Sequence, residues 1–166
     1  MIAGVDPGNE GALALLDAKG GLIDVVDMPA VEIKVAGSDR MRVAPAGLAE
    51  ILRRWNPAHV VIERVQGLPT DGGARAFAFG FAAGAVGGVV ATLGLPMTYV
   101  TPQKWKAASG VTKDKETCRQ RALELWPAHA GKFARKSVDG DRAEACLIAR
   151  YGIMALRLVE LGNAAA

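Results

Sequence analysis

The sequence contains little cysteine, few aromatic residues and no polar low-complexity tract. Its two cysteines, Cys118 and Cys146, are too few for a disulfide scaffold and are most simply buried thiols in a reducing compartment. Aromatic residues make up 5% of the chain and charged residues 22%, whereas hydrophobic residues make up 51%, which excludes intrinsic disorder. At roughly 100–200 residues per domain, the length of 166 residues favours a single domain over positions 1–166.

The first residues do not resemble a signal peptide: no basic segment precedes the apolar residues, and Asp6 interrupts the apolar run after five positions. Residues 76–103 are 28 consecutive positions without a formal charge, which is long enough to cross a bilayer. This run is rich in alanine and glycine, and Gly94 and Pro96 end the helical pattern within it. We therefore expect a cytoplasmic protein without a membrane-spanning segment.

Small residues are abundant: 30 alanines and 20 glycines give 50 of 166 residues almost no side chain. The helix predicted over 76–93 is apolar nearly all round and carries Gly80, Gly84 and Gly88 at intervals of four. A sheet can cover only one face of such a helix, so the other face needs another neighbour. We expect that neighbour to be a second copy of the chain, which predicts a homodimer.

Apolar runs along the chain alternate between strand and helix patterns. The predicted strands are 2–6, 11–16 and 22–28, which form an antiparallel meander, followed by 59–63 and 97–100. The predicted helices are 45–55, 76–93, 113–126 and 139–161, with a linker or excursion at 29–44 and basic loops at 101–110 and 132–136. This order predicts an α/β protein of RNase H-like fold, with a mixed five-stranded sheet and helices on both faces.

Four carboxylates stand where such a fold places functional groups. Asp6 ends the first strand and Glu63 the fourth, and the carboxyl ends of neighbouring parallel strands meet at one edge of a sheet. Asp141 and Glu144 are three apart and share a face of the last helix. Carboxylates so close together repel unless a divalent cation neutralises them. The pattern predicts a site for Mg²⁺, or Mn²⁺ as a substitute, with two ions suited to phosphoryl transfer.

Each acid also has a purely structural explanation. Asp6 precedes a Pro-Gly turn, and Asp141 with Glu144 three residues later resembles a helix cap with its capping box. Their joint placement, rather than any one of them, favours a metal site. Asp139 remains an alternative to Asp141 as the third ligand.

Positive charge is concentrated in the middle of the chain. Residues 64–137 carry 11 lysines and arginines against 4 acids, whereas residues 1–63 carry 6 against 9. From the charge counts alone the lysines are most simply a solvated helix face. The alternative is that they bind a polyanion, such as the phosphate backbone of a nucleic acid, which is bound without being read for sequence. The candidate DNA contacts are Lys104, Lys106, Lys113, Lys115, Arg64, Arg135 and Lys136.

Five segments together resemble the RuvC-type Holliday junction resolvases, in particular a phage-like branch. They are residues 2–8 (IAGVDPG), 60–66 (VVIERVQ), 77–80 (FAFG), 101–106 (TPQKWK) and 141–145 (DRAEA), and the resemblance extends over about residues 1–150. It implies a homodimeric, divalent-metal-dependent endonuclease that nicks two strands of a four-way DNA junction symmetrically. It further implies that the metal-binding catalytic set is Asp6, Glu63, Asp141 and Glu144.

The sequence departs from the common pattern of this family in two places. Glu144 stands where an aspartate is common, which lengthens the arm but keeps a carboxylate ligand. The loop 64–70 lacks the aromatic residue that many relatives insert into the junction. Two functions are consistent with these features: a structure-selective endonuclease acting on branched DNA, and a non-catalytic module that binds branched nucleic acid with its acids serving as caps and turns.

Overall fold

The computed structural model describes residues 1–35, 37–65, 72–136 and 138–164. The strands in this part of the chain are β1 Ile2–Asp6, β2 Ala12–Leu16, β3 Leu22–Asp27, β4 Ala30–Val35, β5 Ser38–Val43, β6 His59–Glu63 and β7 Met97–Val100. The α-helices are α1 Pro45–Trp55, α2 Gly73–Thr92, α3 Pro102–Ser109, α4 Lys115–Leu125 and α5 Gly140–Ala164, with a 3₁₀ helix at Pro127–Phe133. The strands of the main sheet and the four helices anticipated from the sequence lie within three residues of their predicted bounds.

Five strands form the main sheet in the order β3-β2-β1-β6-β7. Strands β1, β2 and β3 pair antiparallel, whereas β1, β6 and β7 run parallel to one another. Val5 pairs with Ile62, so β1 and β6 end at the same edge of the sheet. The predicted mixed five-stranded sheet is confirmed, and its parallel centre directs the ends of β1 and β6 towards one site.

Helices cover both faces of this sheet, as predicted, because β1 and β2 present apolar side chains to either side. On one face Leu48 and Leu52 of α1 and Val86 of α2 are buried in one core. On the other face Trp105 of α3 and Leu147 of α5 are buried in a second core. The sheet therefore separates the layer of α1 and α2 from the layer of α3, α4 and α5.

Strand β1 and helix α5 approach so closely that Gly4 has no room for a side chain. A Cβ atom at Gly4 would collide with the carbonyl oxygen of Ala145 and the backbone nitrogen of Ala149. Both alanines are fully buried. Part of the small-residue excess thus serves the contact that holds the end of β1 beside the start of α5.

Segment 29–44, expected to be a linker or excursion, forms a two-stranded antiparallel hairpin of β4 and β5. Val31, Ile33 and Val35 alternate with charged residues, as strand residues do. The hairpin lies apart from the main sheet and leaves most of its side chains exposed. Its strands therefore lack the continuous apolar runs that mark the buried strands of the main sheet in the sequence.

The expected basic loop 101–110 contains helix α3. Pro102 occupies the first turn, and Gly110 follows the helix with a φ of 69°. Proline at the start and a left-handed glycine after the end are standard helix boundaries. The short, lysine-rich sequence between them concealed the helix. The expected loop 132–136 begins in the 3₁₀ helix.

Helix α2 is, among the described residues, the helix long and apolar enough to cross a membrane by length and composition. Ala82, Val86 and Val90 pack on the sheet. The helix ends as predicted before Gly94, which adopts a φ of 65°. Its opposite face is exposed at Gly84 and Gly88.

Candidate active site

Three carboxylates converge at the carboxyl edge of β1. Asp6 ends β1, and Asp141 and Glu144 lie one turn apart at the start of α5. One oxygen of each lies within 4.8 Å of the others, and among the described residues these three form the group able to hold a metal ion. Asp6 and Glu144 are buried and Asp141 is half-buried. The close packing of β1 on α5 produces this convergence.

Glu63 lies at the same edge but outside that group of three. Its Oε1 atom accepts a hydrogen bond of 2.8 Å from the indole nitrogen of Trp105, on α3. Burial raises the pKa of Glu63, the Trp105 hydrogen bond opposes that rise, and the charge of Glu144 adds to it. Glu63 is therefore electrostatically coupled to the cluster while its carboxylate is oriented by the indole.

Two lysines reach into the cluster. Lys106 Nζ donates a hydrogen bond of 2.6 Å to Glu144 Oε1, and Lys115 Nζ donates to Asp141. Burial lowers the pKa of each lysine, but the hydrogen bond and charge of its carboxylate partner outweigh burial and raise the pKa overall. Both lysines are therefore cationic and partly neutralise the acids.

Asp6 has no such partner among these contacts, and its pKa is raised well above the ordinary aspartate value. Burial is the largest cause, followed by the charges of Glu144, Glu63 and Asp141. An ionised Asp6 is thus unfavourable in the metal-free site. A divalent cation would remove this penalty, because it favours clustered carboxylate oxygens.

Asp139 has a structural environment instead. Its carboxylate is fully buried and accepts hydrogen bonds from the backbone N–H and the guanidinium of Arg135, at 2.8 and 2.7 Å. Burial alone would raise the pKa of Asp139, but the bonds from Arg135 lower it overall. Arg142 lies 3.5 Å away as a second cation. Asp141, and not Asp139, lies with Asp6 and Glu144.

The candidate DNA contacts divide into distinct environments. Lys106 and Lys115 pair with acids of the cluster, and Arg135 is held by Asp139. The rest are exposed on loops and on α3: Lys104, Lys113, Arg64 and Lys136. The loop 64–70, expected to lack a junction-inserting aromatic, lies largely outside the described residues, which leave out 66–70.

Sequence reasoning missed two neighbours of the acids. Trp105 is fully buried, and a buried indole N–H needs a hydrogen-bond acceptor. In the sequence the one available signal was the position of this tryptophan between two lysines in segment 101–106. Cys118 is buried with its Sγ 3.7 Å from Glu144 Oε1, and burial, with the charge of Glu144, raises the pKa of the thiol to about 12. Nothing in the sequence connects Cys118 to Glu144, because 26 positions separate them.

No protein-family model and no curated protein matches the sequence. Solved structures do match the fold. Thermus thermophilus RuvC, in complex with Holliday junction substrate, has a TM-score of 0.62 and 19% identity over 93% of this chain and 94% of that chain. The fowlpox virus Holliday junction resolvase has a TM-score of 0.53 and 17% identity over 93% of this chain and 98% of that chain. The yeast mitochondrial Holliday junction resolvase Ydc2 has a TM-score of 0.55 and 14% identity over 92% of this chain and 77% of that chain. These similarities confirm the RNase H-like fold.

Proposed function

We propose that this chain is a RuvC-type, divalent-metal-dependent endonuclease that resolves four-way DNA junctions by paired, symmetric nicks. The observation that carries the proposal is the convergence of Asp6, Asp141 and Glu144 at the sheet edge of a fold shared with Holliday junction resolvases. The sequence motifs favour a phage-like branch and a single nuclease domain over residues 1–166.

Asp6, Glu63, Asp141 and Glu144 are the proposed catalytic residues and metal ligands, for two Mg²⁺ ions that Mn²⁺ can replace. The donor set fits, since all four groups are hard carboxylate oxygens and the most buried one, Asp6, is costly to ionise without a cation. When bound, divalent ions supply charge neutralisation and activation of water for attack on a phosphodiester.

The two lysines of the cluster have different proposed roles because they differ in exposure. The Lys115 side chain is 53% exposed and has room to leave Asp141 for a phosphate oxygen. The Lys106 side chain is 18% exposed and stays close to Glu144, where its charge offsets negative charge that develops at the reacting phosphate. Lys104, Lys113, Arg64, Arg135 and Lys136 are the proposed contacts to the flanking DNA backbone.

A homodimer through α2 (predicted as helix 76–93) is part of this proposal. A Cβ atom at Gly80, Gly84 or Gly88 would meet no heavy atom within 4 Å, so another helix can approach this face closely. A groove of about 290 Å³ between α1 and α2 adjoins it. Two active sites related by a two-fold axis match a junction of the same symmetry. We infer that α2 meets a second subunit rather than lipid and that the protein acts in the cytoplasm.

Cleavage of a synthetic four-way junction with Mg²⁺ tests the activity. We expect the wild type to nick opposite strands at matching positions and leave 5′-phosphate and 3′-hydroxyl ends. Asp6→Asn, which removes a ligand charge, should reduce the rate at least a hundredfold. Glu50→Gln, a matched loss of one exposed acid on α1, should cut like the wild type.

Equal cleavage by the wild type and Asp6→Asn contradicts the proposal. Tight junction binding without cleavage, together with no Mg²⁺ or Mn²⁺ binding by calorimetry, identifies the non-catalytic binding module instead. In that case Lys106 and Lys115 are the permanent ion-pair partners of Glu144 and Asp141.

A further inference from the structure

The hairpin of β4 and β5 has two chemically different faces. Opposed residues of an antiparallel pair share a face, and successive residues along a strand lie on opposite faces. The pairs Val31–Arg42, Ile33–Arg40 and Val35–Ser38 therefore form one face, which carries two arginines and no carboxylate. The pairs Ala30–Val43, Glu32–Met41 and Lys34–Asp39 form the other face, which carries two carboxylates and one lysine. We call the first one the arginine face.

The arginine face is anchored to α2 at one end. The guanidinium carbon of Arg42 lies 4.6 Å from the ring centre of Phe81 and 5.9 Å from that of Phe77. Val43 is buried in the core, and the Ala44 N–H donates a 2.8 Å hydrogen bond to the Pro29 carbonyl, which closes the base of the hairpin. Arg40, one step nearer the tip, is exposed. The base is thus held in place while the tip projects.

The hairpin rises from the edge of the sheet that holds the acids. Asp6 and Asp27 both pair with Ala12, so β1 and β3 end at the same edge. The hairpin begins three residues after Asp27, at Ala30. The hairpin contacts α2. Helix α2 packs on the face of the sheet opposite to α3, α4 and their lysines. The hairpin and the acidic cluster therefore share one edge of the sheet, with the hairpin on the α2 side and the lysines of α3 and α4 on the other.

Charge and shape favour DNA as the occupant of the arginine face. Val31 and Val35 are 51% and 44% exposed, which leaves an apolar surface beside the arginines. A two-stranded ribbon is narrow enough to enter a DNA groove, and the guanidinium of one arginine can bind two oxygens of a phosphate at once. A second copy of the chain is less suitable, because α2 carries no carboxylate to pair with Arg40 or Arg42.

We propose that the arginine face of the β4–β5 hairpin is a second DNA-binding surface, which holds a duplex arm of the branched substrate on the α2 side of the active site. This inference rests on the proposed function and extends it, because the other candidate contacts follow residue 63. Arg40 is the main phosphate contact, whereas Arg42 fixes the hairpin on the aromatic rings of α2.

Binding of a fluorescent four-way junction, measured by anisotropy in EDTA over a series of salt concentrations, tests the proposal. Arg40→Gln should lower the slope of log K against log salt by about 0.9, and weaken binding about fivefold at 0.15 M salt, for each subunit that contacts the junction, as the loss of one phosphate contact per subunit requires. Lys34→Gln is the matched control, since it removes one charge from the opposite face of the same hairpin. It should leave the slope unchanged, and Arg40→Lys should largely retain it.

The outcomes separate this inference from the proposed function. If the wild type binds the junction with a steep salt slope and Arg40→Gln matches it or matches Lys34→Gln, the hairpin surface is wrong and the nuclease proposal stands. If the wild type does not bind the junction, both fail. If Arg40→Gln instead changes the sedimentation coefficient in the absence of DNA, the face is a subunit contact and the DNA assignment is overturned.

Discussion

The acids at the sheet edge differ in what balances their charge. Glu144 and Asp141 each accept a hydrogen bond from a lysine, and Glu63 accepts one from Trp105. Asp6 is left as the buried carboxylate whose pKa its acidic neighbours raise. The cluster of Asp6, Asp141 and Glu144 fits a divalent cation, and among its acids Asp6 is the one that burial and acidic neighbours make most costly to ionise.

Asp6→Asn should therefore stabilise the metal-free protein at neutral pH. In the wild type the folded state binds a proton on Asp6 more tightly than the unfolded state. The stability that this proton gives the wild type is present at low pH and is lost as the pH rises from the ordinary aspartate value of 3.8 through the raised value, whereas Asp6→Asn has no such loss. Thermal melting in EDTA at pH 7.5 should show a gain in Tm of about 2–4 °C, which is ~1 kcal/mol for a chain of this size.

The difference should shrink when the melting is repeated near pH 4, and Mg²⁺ should raise the Tm of the wild type more than that of Asp6→Asn. A constant difference at all pH values would show that the Asp6 carboxylate is not the destabilising group.

Trp105→Phe should weaken metal-dependent cleavage while leaving the chain folded. The change removes the N–H that orients Glu63, and loss of such an outer partner reduces metal affinity or activity about 10- to 100-fold. The Mg²⁺ concentration that gives half-maximal cleavage should rise. Trp126→Phe is the matched control, since its indole donates to the backbone carbonyl of Gly20, away from the acids. Equal effects of both variants on the Mg²⁺ dependence would contradict a positioning role for Trp105.

Among the elements, the contact between β1 and α5 determines the site. It brings Asp6 to Asp141 and Glu144, and the absent side chain at Gly4 makes it possible. The hairpin and α3 contribute no acid to the site, and each carries an exposed cation, Arg40 on β5 and Lys104 on α3.

Gly4→Ala should destabilise the chain by about 2–3 kcal/mol, because the new methyl group overpacks the backbone of α5. Urea unfolding followed by circular dichroism measures this cost. Gly131→Ala is the control, since a Cβ there meets nothing within 4 Å, and it should stay within about 0.5 kcal/mol of the wild type. A Gly4→Ala variant as stable as the wild type would show that β1 and α5 are not in close contact.

For the whole molecule, the sheet separates an apolar face of α2 from an acidic site with cations around it. We expect the protein to sediment as a dimer at micromolar concentration. Gly84→Arg, on the outward face of α2, should shift it to a monomer, because a long charged side chain prevents close helix contact. Ala107→Arg, an equivalent change at an exposed position of α3, should remain a dimer. A monomeric wild type, or a dimeric Gly84→Arg, would contradict the α2 interface.

The sequence alone was sufficient for the fold, because the five strands of the main sheet and four of the helices have clear hydrophobic periods and turn residues. It was also sufficient to propose Asp6, Glu63, Asp141 and Glu144 as candidates, since Asp6 and Glu63 end strands and Asp141 and Glu144 open a helix in the order of an RNase H-like chain. It could not distinguish Asp139 from Asp141, because both lie at the start of α5 and only packing shows that Arg135 occupies Asp139.

Tertiary structure alone decided the contacts between residues far apart in the chain. Glu63 meets Trp105 over 42 positions, Glu144 meets Lys106 over 38, and the hairpin meets α2 through Arg42. Local sequence determines secondary structure through short-range periodicity, whereas these contacts depend on how the sheet brings distant segments to one edge. For that reason the convergence of Asp6, Asp141 and Glu144 could be predicted from the order of the elements, while the side chains that balance their charge and the packing of the hairpin on α2 could not.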